Sequence, residues 1–166
     1  MPLYFETAPL QQSGITPIYD HHHHNQFLIS GRRGLFNSGY RLTDLAQHEL
    51  GEIRQQSIGL LPRYALYQAN HQTGTIKQMV GIWNEFAYVS QLNWMIMGNL
   101  TTDTYRVYHG VSVVMSVAPV RGGQIIAIGD LSPDNQVNGL LVAVILNHFS
   151  RVGHPLKARN PNLLFD

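Results

Sequence analysis

Four adjacent histidines, His21, His22, His23 and His24, are the first side chains in this chain that could do chemistry, because a neutral imidazole is a ligand for transition metals. Neighbouring residues point in different directions, so four in a row do not build a tetrahedral site, and no further ligand follows at the right spacing. The expectation is a mobile, polar lead into a first strand at "FLIS", binding nickel or zinc adventitiously at most. His48 and Glu49 open "HELGE", which lacks the second histidine of a zinc-protease helix. There is no "GxSxG" elbow, phosphate loop or dinucleotide fingerprint. The acidic residues are scattered singly, and Asp44, Asp103 and Asp130 stand where turns need side chains that bond local backbone. No catalytic residue, metal or cofactor is therefore assigned. Catalytic groups converging from distant loops would leave no such signature, so an enzyme stays the weaker alternative.

The elements that would position any site are clearer. The stretch "GLLVAVILNHF", residues 139–149, has eight apolar residues in a row before Asn147 and His148 interrupt it. A helical membrane span needs about 20. Upstream, Ser132, Pro133 and Asp134 supply an N-cap, a first-turn proline and a negative charge at the positive end of the helix dipole. Downstream, Gly153 and Pro155 supply a stop. The pattern predicts a helix over residues 133–150 whose apolar side chains point in every direction around the wheel, and such a helix must be surrounded.

What surrounds it is a set of strands. "YRLTD" followed by "GEIRQQS" recurs about 24 residues later as "YALYQ" followed by "GTIKQMV", which is one hairpin used twice. Tyr40 matches Tyr64, Gly51 matches Gly74, Ile53 matches Ile76, and Arg54 matches Lys77. A degenerate third copy runs through "YRVYHGVSVVMSV", with Tyr105 and Val107 before a turn at His109 and Gly110. "FAYVSQLNWMIMGNL" and "GQIIAIGD" add further strands. Turn signals at even spacing mark a barrel or sandwich, and closing the sheet around the helix satisfies both observations.

The run "YRLTD…GEIRQQ…LPRYALY…GTIKQ…LNWMIMGNL…YRVY…IAIGDLSPDNQVNGLLVAVILNHF" resembles the LURP-one-related family, including its bacterial YxjI branch, which has the tubby C-terminal-like fold. The likeness covers residues 27–149. Trp94 with Gly98, and Asp130 with Asp134, stand where the family's motifs place them, whereas Asn147 replaces an aspartate common at the end of the family's helix. The resemblance implies a mainly β protein: a closed antiparallel barrel of about twelve strands around a central hydrophobic C-terminal helix. The expected organisation is a flexible N-terminal segment over residues 1–26, one barrel-plus-helix domain over 27–153 and a tail over 154–166.

Period-two alternation then sorts the strand residues. With Tyr40, Leu42, Ile53, Tyr64, Leu66, Ile76, Tyr105 and Val107 facing the helix, Arg41, Arg54, Arg63, Lys77 and Arg106 face outward, five of 11 basic side chains. One register sets Arg41 opposite Arg54, which costs stability unless Glu52 or an external anion lies between them. The leading expectation is a non-catalytic binding module that docks to an anionic lipid headgroup, a phosphate or a protein through this basic outer wall. Tubby C-terminal domains bind phosphoinositides on the outside of the barrel, which is what the resemblance contributes. A second reading is a small-ligand carrier or enzyme with a site at one barrel end near Trp83, Tyr88 and Trp94. A third, from the resemblance alone, is scramblase-like lipid handling.

Balanced charge, 11 basic against 10 acidic residues, gives no global field for nucleic acid. The absence of cysteine excludes disulfides and thiolate chemistry. Residues 1–10 lack a basic segment followed by an apolar one, so no secretory signal is expected, and the cytoplasm, with a peripheral place at a membrane, is the expected location.

Overall fold

The computed structural model describes residues 1–32, 38–56, 63–78 and 86–152. Twelve strands close into one barrel: β1 (Leu3–Glu6), β2 (Ile15–Asp20), β3 (Asn25–Arg32), β4 (Gly39–Thr43), β5 (Glu49–Gln55), β6 (Arg63–Gln68), β7 (His71–Gln78), β8 (Phe86–Ser90), β9 (Trp94–Asn99), β10 (Thr104–His109), β11 (Ser112–Val120) and β12 (Ile125–Gly129). Each strand pairs antiparallel with its neighbours in sequence, and β1 closes the ring on β12. A short helix α1 (Thr7–Gln12) joins β1 to β2, and the long helix α2 (Gln136–Val152) follows β12 through a 3-10 turn at Pro133–Asn135.

The mainly β, barrel-and-helix expectation is met, but the domain begins earlier than the sequence reading placed it. Residues 1–26 are not a lead-in: β1 and β2 are two of the barrel's twelve staves, with Phe5 and Ile18 fully buried. Without β1 the edge of β12 would be left unpaired, a template for aggregation. The tail over residues 154–166 lies outside the described residues.

The repeated hairpin has a physical basis. In β4–β5, Tyr40 pairs with Ile53 and Leu42 with Gly51, and the register slips after Leu42. In β6–β7, Tyr64 pairs with Ile76 and Leu66 with Gly74, with a slip after Leu66. In β10–β11, Tyr105 pairs with Val117 and Val107 with Met115, with a slip after Val107. Such bulges bend the strand and increase its twist, which a closed barrel requires. The glycine makes room. A Cβ on Gly51 would stand 2.7 Å from Val137 and 2.8 Å from the Tyr67 carbonyl oxygen, so α2 packs where a side chain would be. The third copy has Met115 at this position, facing Gly139 of the helix, where an added Cβ would stand 2.5 Å from Leu131 Cδ1 and 3.3 Å from the Met115 sulfur.

All eight residues assigned to the inner face are buried, and Leu140 to Leu146 are at most 3% exposed on every side of α2. Polar contacts fix the helix at both ends. Thr73 Oγ1 donates to Asn138 Oδ1 at 3.0 Å near its start. Near its end, Asn147 Nδ2 and Ser150 Oγ donate to Asp103 Oδ2 at 3.1 and 3.2 Å. Asp103 was expected to serve its own turn. It does occupy the left-handed conformation there, at φ 54°, but it is buried and holds the helix. Replacing Val144 by Asp should abolish cooperative thermal unfolding, because an ionised carboxylate there has no partner and costs several kcal/mol. Gly51→Ala should fold but lose about 1–3 kcal/mol, read from chemical denaturation.

Candidate functional site

The five basic residues do face outward, but they do not form one site. Arg41 stands across the ladder from Glu52, not from Arg54, because the pairing of Tyr40 with Ile53 sets the register two residues away from the expected one. Arg41 Nε lies 2.9 Å from Glu49 Oε2. Arg54 pairs with Glu52, and its guanidinium sits 4.9 Å from the centre of the Tyr67 ring. The hydrogen bond from Arg54 to Glu52 pushes the guanidinium pKa further up. Two cations and two carboxylates thus form a neutral plate on β4–β6, which suits structure better than anion capture.

Arg63 on β6 and Lys77 on β7 are directly opposite each other. Lys77 is followed round the barrel by Tyr88 on β8, then Met95 and Met97 on β9, then Arg106 on β10 opposite Met97. Met95 and Met97 are 39% and 48% exposed, an unusual degree for unbranched apolar side chains on a strand face. Among the described residues, neither Lys77 nor Arg106 makes an ion pair with a carboxylate. The alternation that buries Ile96 turns both methionines outward, so the sequence held this signal; the basic residues alone drew attention from it.

The proposed barrel-end group separates. Trp94 points inward and is buried, whereas Tyr88 lies on the outer wall, its hydroxyl donating to Asn93 Oδ1 at 2.7 Å. Register explains it: Val89 pairs with Trp94, and Tyr88 is one residue out of phase. Trp83 lies outside the described residues. Trp94 nevertheless lines a cleft of 380 Å³ at the barrel end where α2 enters.

The histidines form the β2–β3 turn and not a lead-in segment. Asp20 Oδ1 accepts from the His22 and His24 backbone N–H groups at 2.8 and 3.0 Å, and Oδ2 from Gln26 Nε2 at 3.0 Å. His23 is left-handed at φ 63° and stacks on Tyr19. Among the described residues no three His, Cys, Asp or Glu side chains are grouped to hold a metal. Deep within the barrel, burial and then the Asp103 carboxylate push the Tyr105 hydroxyl pKa well up. Burial pushes His148 down, and its Nδ1 is 2.9 Å from the Tyr40 hydroxyl. Both are held apart from the outer wall and serve the packing of the helix.

No family model matches the chain. Over 101 residues it is 30% identical to the uncharacterized protein YxjI of Bacillus subtilis, a match covering 61% of this chain and 62% of that protein. An X-ray structure of a protein from Arabidopsis thaliana superposes with a TM-score of 0.63 over 90% of this chain and 92% of the other, at 16% identity. The likeness is to YxjI in sequence and to the plant protein in fold. The chain thus spans less than two thirds of YxjI's length. The plant structure carries the architecture, since at such low identity the likeness is one of fold. Among the described residues, no helix is long and apolar enough to cross a membrane.

The turn at Asp20 can be tested through its charge. Burial pushes its carboxyl up, but the His24 and His22 N–H groups, the His24 charge and Gln26 outweigh it, so the folded pKa lies below the ordinary value. A depressed folded pKa contributes stability above the unfolded pKa and loses it as pH falls through the folded one. Asp20→Ala should therefore lower the melting temperature at neutral pH, and the difference from the parent should shrink as the solution is acidified into the carboxylate range.

Proposed function

We propose that this protein is a non-catalytic docking module that rests on an anionic membrane surface through the outer wall from β7 to β10. The observation that carries the reading is the arrangement of that wall: Lys77 and Arg106 stand on either side of Tyr88, Met95 and Met97, with both methionines exposed. Cations attract an acidic leaflet at roughly 1 kcal/mol per residue near the surface. Flexible apolar side chains between them can enter the headgroup layer, as an aromatic side chain can. Arg41 and Arg54 are excluded from the surface because Glu49 and Glu52 hold them.

The apolar centre of the patch favours a lipid surface over a soluble phosphate, which would be bound by the cations alone. Sedimentation with vesicles of mixed phosphatidylcholine and phosphatidylglycerol separates the two. Reversing Lys77 and Arg106 to Glu should abolish vesicle binding while shifting the melting temperature by no more than about 4 °C, the equivalent of about 1 kcal/mol for a chain of this size. Replacing Met95 and Met97 by Ser should weaken vesicle binding but leave any binding of inorganic phosphate unchanged. Binding should weaken as salt rises, since the screening length is about 10 Å at 0.1 M. Salt-insensitive binding, or parental binding by the charge-reversed variant, would contradict the reading.

A further inference from the structure

A second surface has the opposite electrostatic character. Three connections meet at the barrel end where α2 enters: the β8–β9 turn with Gln91, the β10–β11 turn beside His109, and the segment after β12 with Asp130. The cleft of 380 Å³ between them falls within the range of about 300–1,000 Å³ typical of small-molecule sites, which favour the mouths of barrels. Trp94 and Val113 form apolar wall, and Gln91, His109 and Asn135 offer polar groups. Among the described residues, Asp130 is the single acidic side chain in the lining, and no Lys or Arg joins it. Its Oδ2 accepts from Ser116 Oγ, and among the described residues it makes no ion pair.

We propose that this cleft binds a small organic cation, an alkylammonium whose charged head meets Asp130 and whose carbon chain lies against Trp94 and Val113. A carboxylate repels anions and accepts a charge-assisted hydrogen bond from an ammonium group. Asp134, in the connection that also carries Asp130, adds negative charge to this barrel end. The side-chain amides of Gln91 and Asn135 alone would serve a polyol equally well; the carboxylate selects the cation. The site does not depend on the β7–β10 wall.

The test uses the full chain and four probes: cadaverine, butylamine, glucose and inorganic phosphate. Binding is followed by calorimetry and by the Trp94 indole signal in a ¹H–¹⁵N NMR spectrum. The two cations should bind saturably and shift that signal, and glucose and phosphate should not. Asp130→Asn keeps a residue that tolerates the left-handed backbone at φ 64° and still accepts from Ser116. It should weaken cation binding by about tenfold or more, the loss expected for one charge-assisted hydrogen bond. Val113 is 41% exposed, so Val113→Lys should fold, place an ammonium in the cleft and abolish binding. Saturable binding of neither cation, affinity for glucose or phosphate equal to that for cadaverine, or undiminished binding in either variant would overturn the proposal. Cation binding should persist when Lys77 and Arg106 are reversed, and vesicle binding should persist in Asp130→Asn, so failure of one surface is distinguishable from failure of the other.

Discussion

A helix that is apolar on every side has to be enclosed on every side, and the barrel is the solution this chain adopts. Leu140 to Leu146 are all but inaccessible, and their partners come from strands all round the ring. Apolar burial of this kind contributes roughly 25 cal/mol per Å² removed from water, so α2 is both the filling of the barrel and a large share of what keeps it closed. An open sheet could cover one face of the helix only.

The constraint reaches outward through the strands. Each inward Tyr, Leu or Ile fixes the register of its hairpin, and a slip of one residue would turn its apolar set to solvent. The same register decides which charges meet on the outside. Because Tyr40 pairs with Ile53, Arg41 lies across from Glu52, and the two arginines of β4 and β5 find carboxylates. Because Ile96 points inward, Met95 and Met97 point outward beside Arg106. The character of the outer wall is therefore a consequence of how the core is packed. Where the helix cannot be met by carbon, it is met by fixed polar partners: Thr73 at its start and Asp103 near its end.

Much of this was legible in the residues. The helix showed itself by composition and by Pro133 in the turn that leads into it, the repeated hairpin by its Tyr, Gly and Ile spacing, and the inner faces by alternation. Three features were hidden for identifiable reasons. The closing strand β1 is four residues long and is followed at once by α1, so no alternation could accumulate, and its pairing with β12 joins residues as far apart as Leu3 and Ile128. The ion pairs of Arg41 and Arg54 depend on a register that a hairpin sequence with a bulge does not specify by itself. Tyr88 and Trp94, grouped as aromatic neighbours, fall on opposite faces because Trp94 pairs with Val89. The likeness to YxjI and to the plant structure agrees with the architecture and leaves the choice of surface to physical argument.

The claim on which the rest depends is that helix and barrel form one cooperative unit. Native-state hydrogen exchange tests it most directly, because amides released only by global unfolding report the full unfolding free energy. The account predicts that the amides of Leu141, Val144 and Ile145 exchange with the same free energy and the same denaturant dependence as those of Ile53, Ile76 and Ile128 in the strands. Exchange of the helix at a lower free energy, through an opening that leaves the strand amides protected, would show that the barrel stands without its filling and would contradict it.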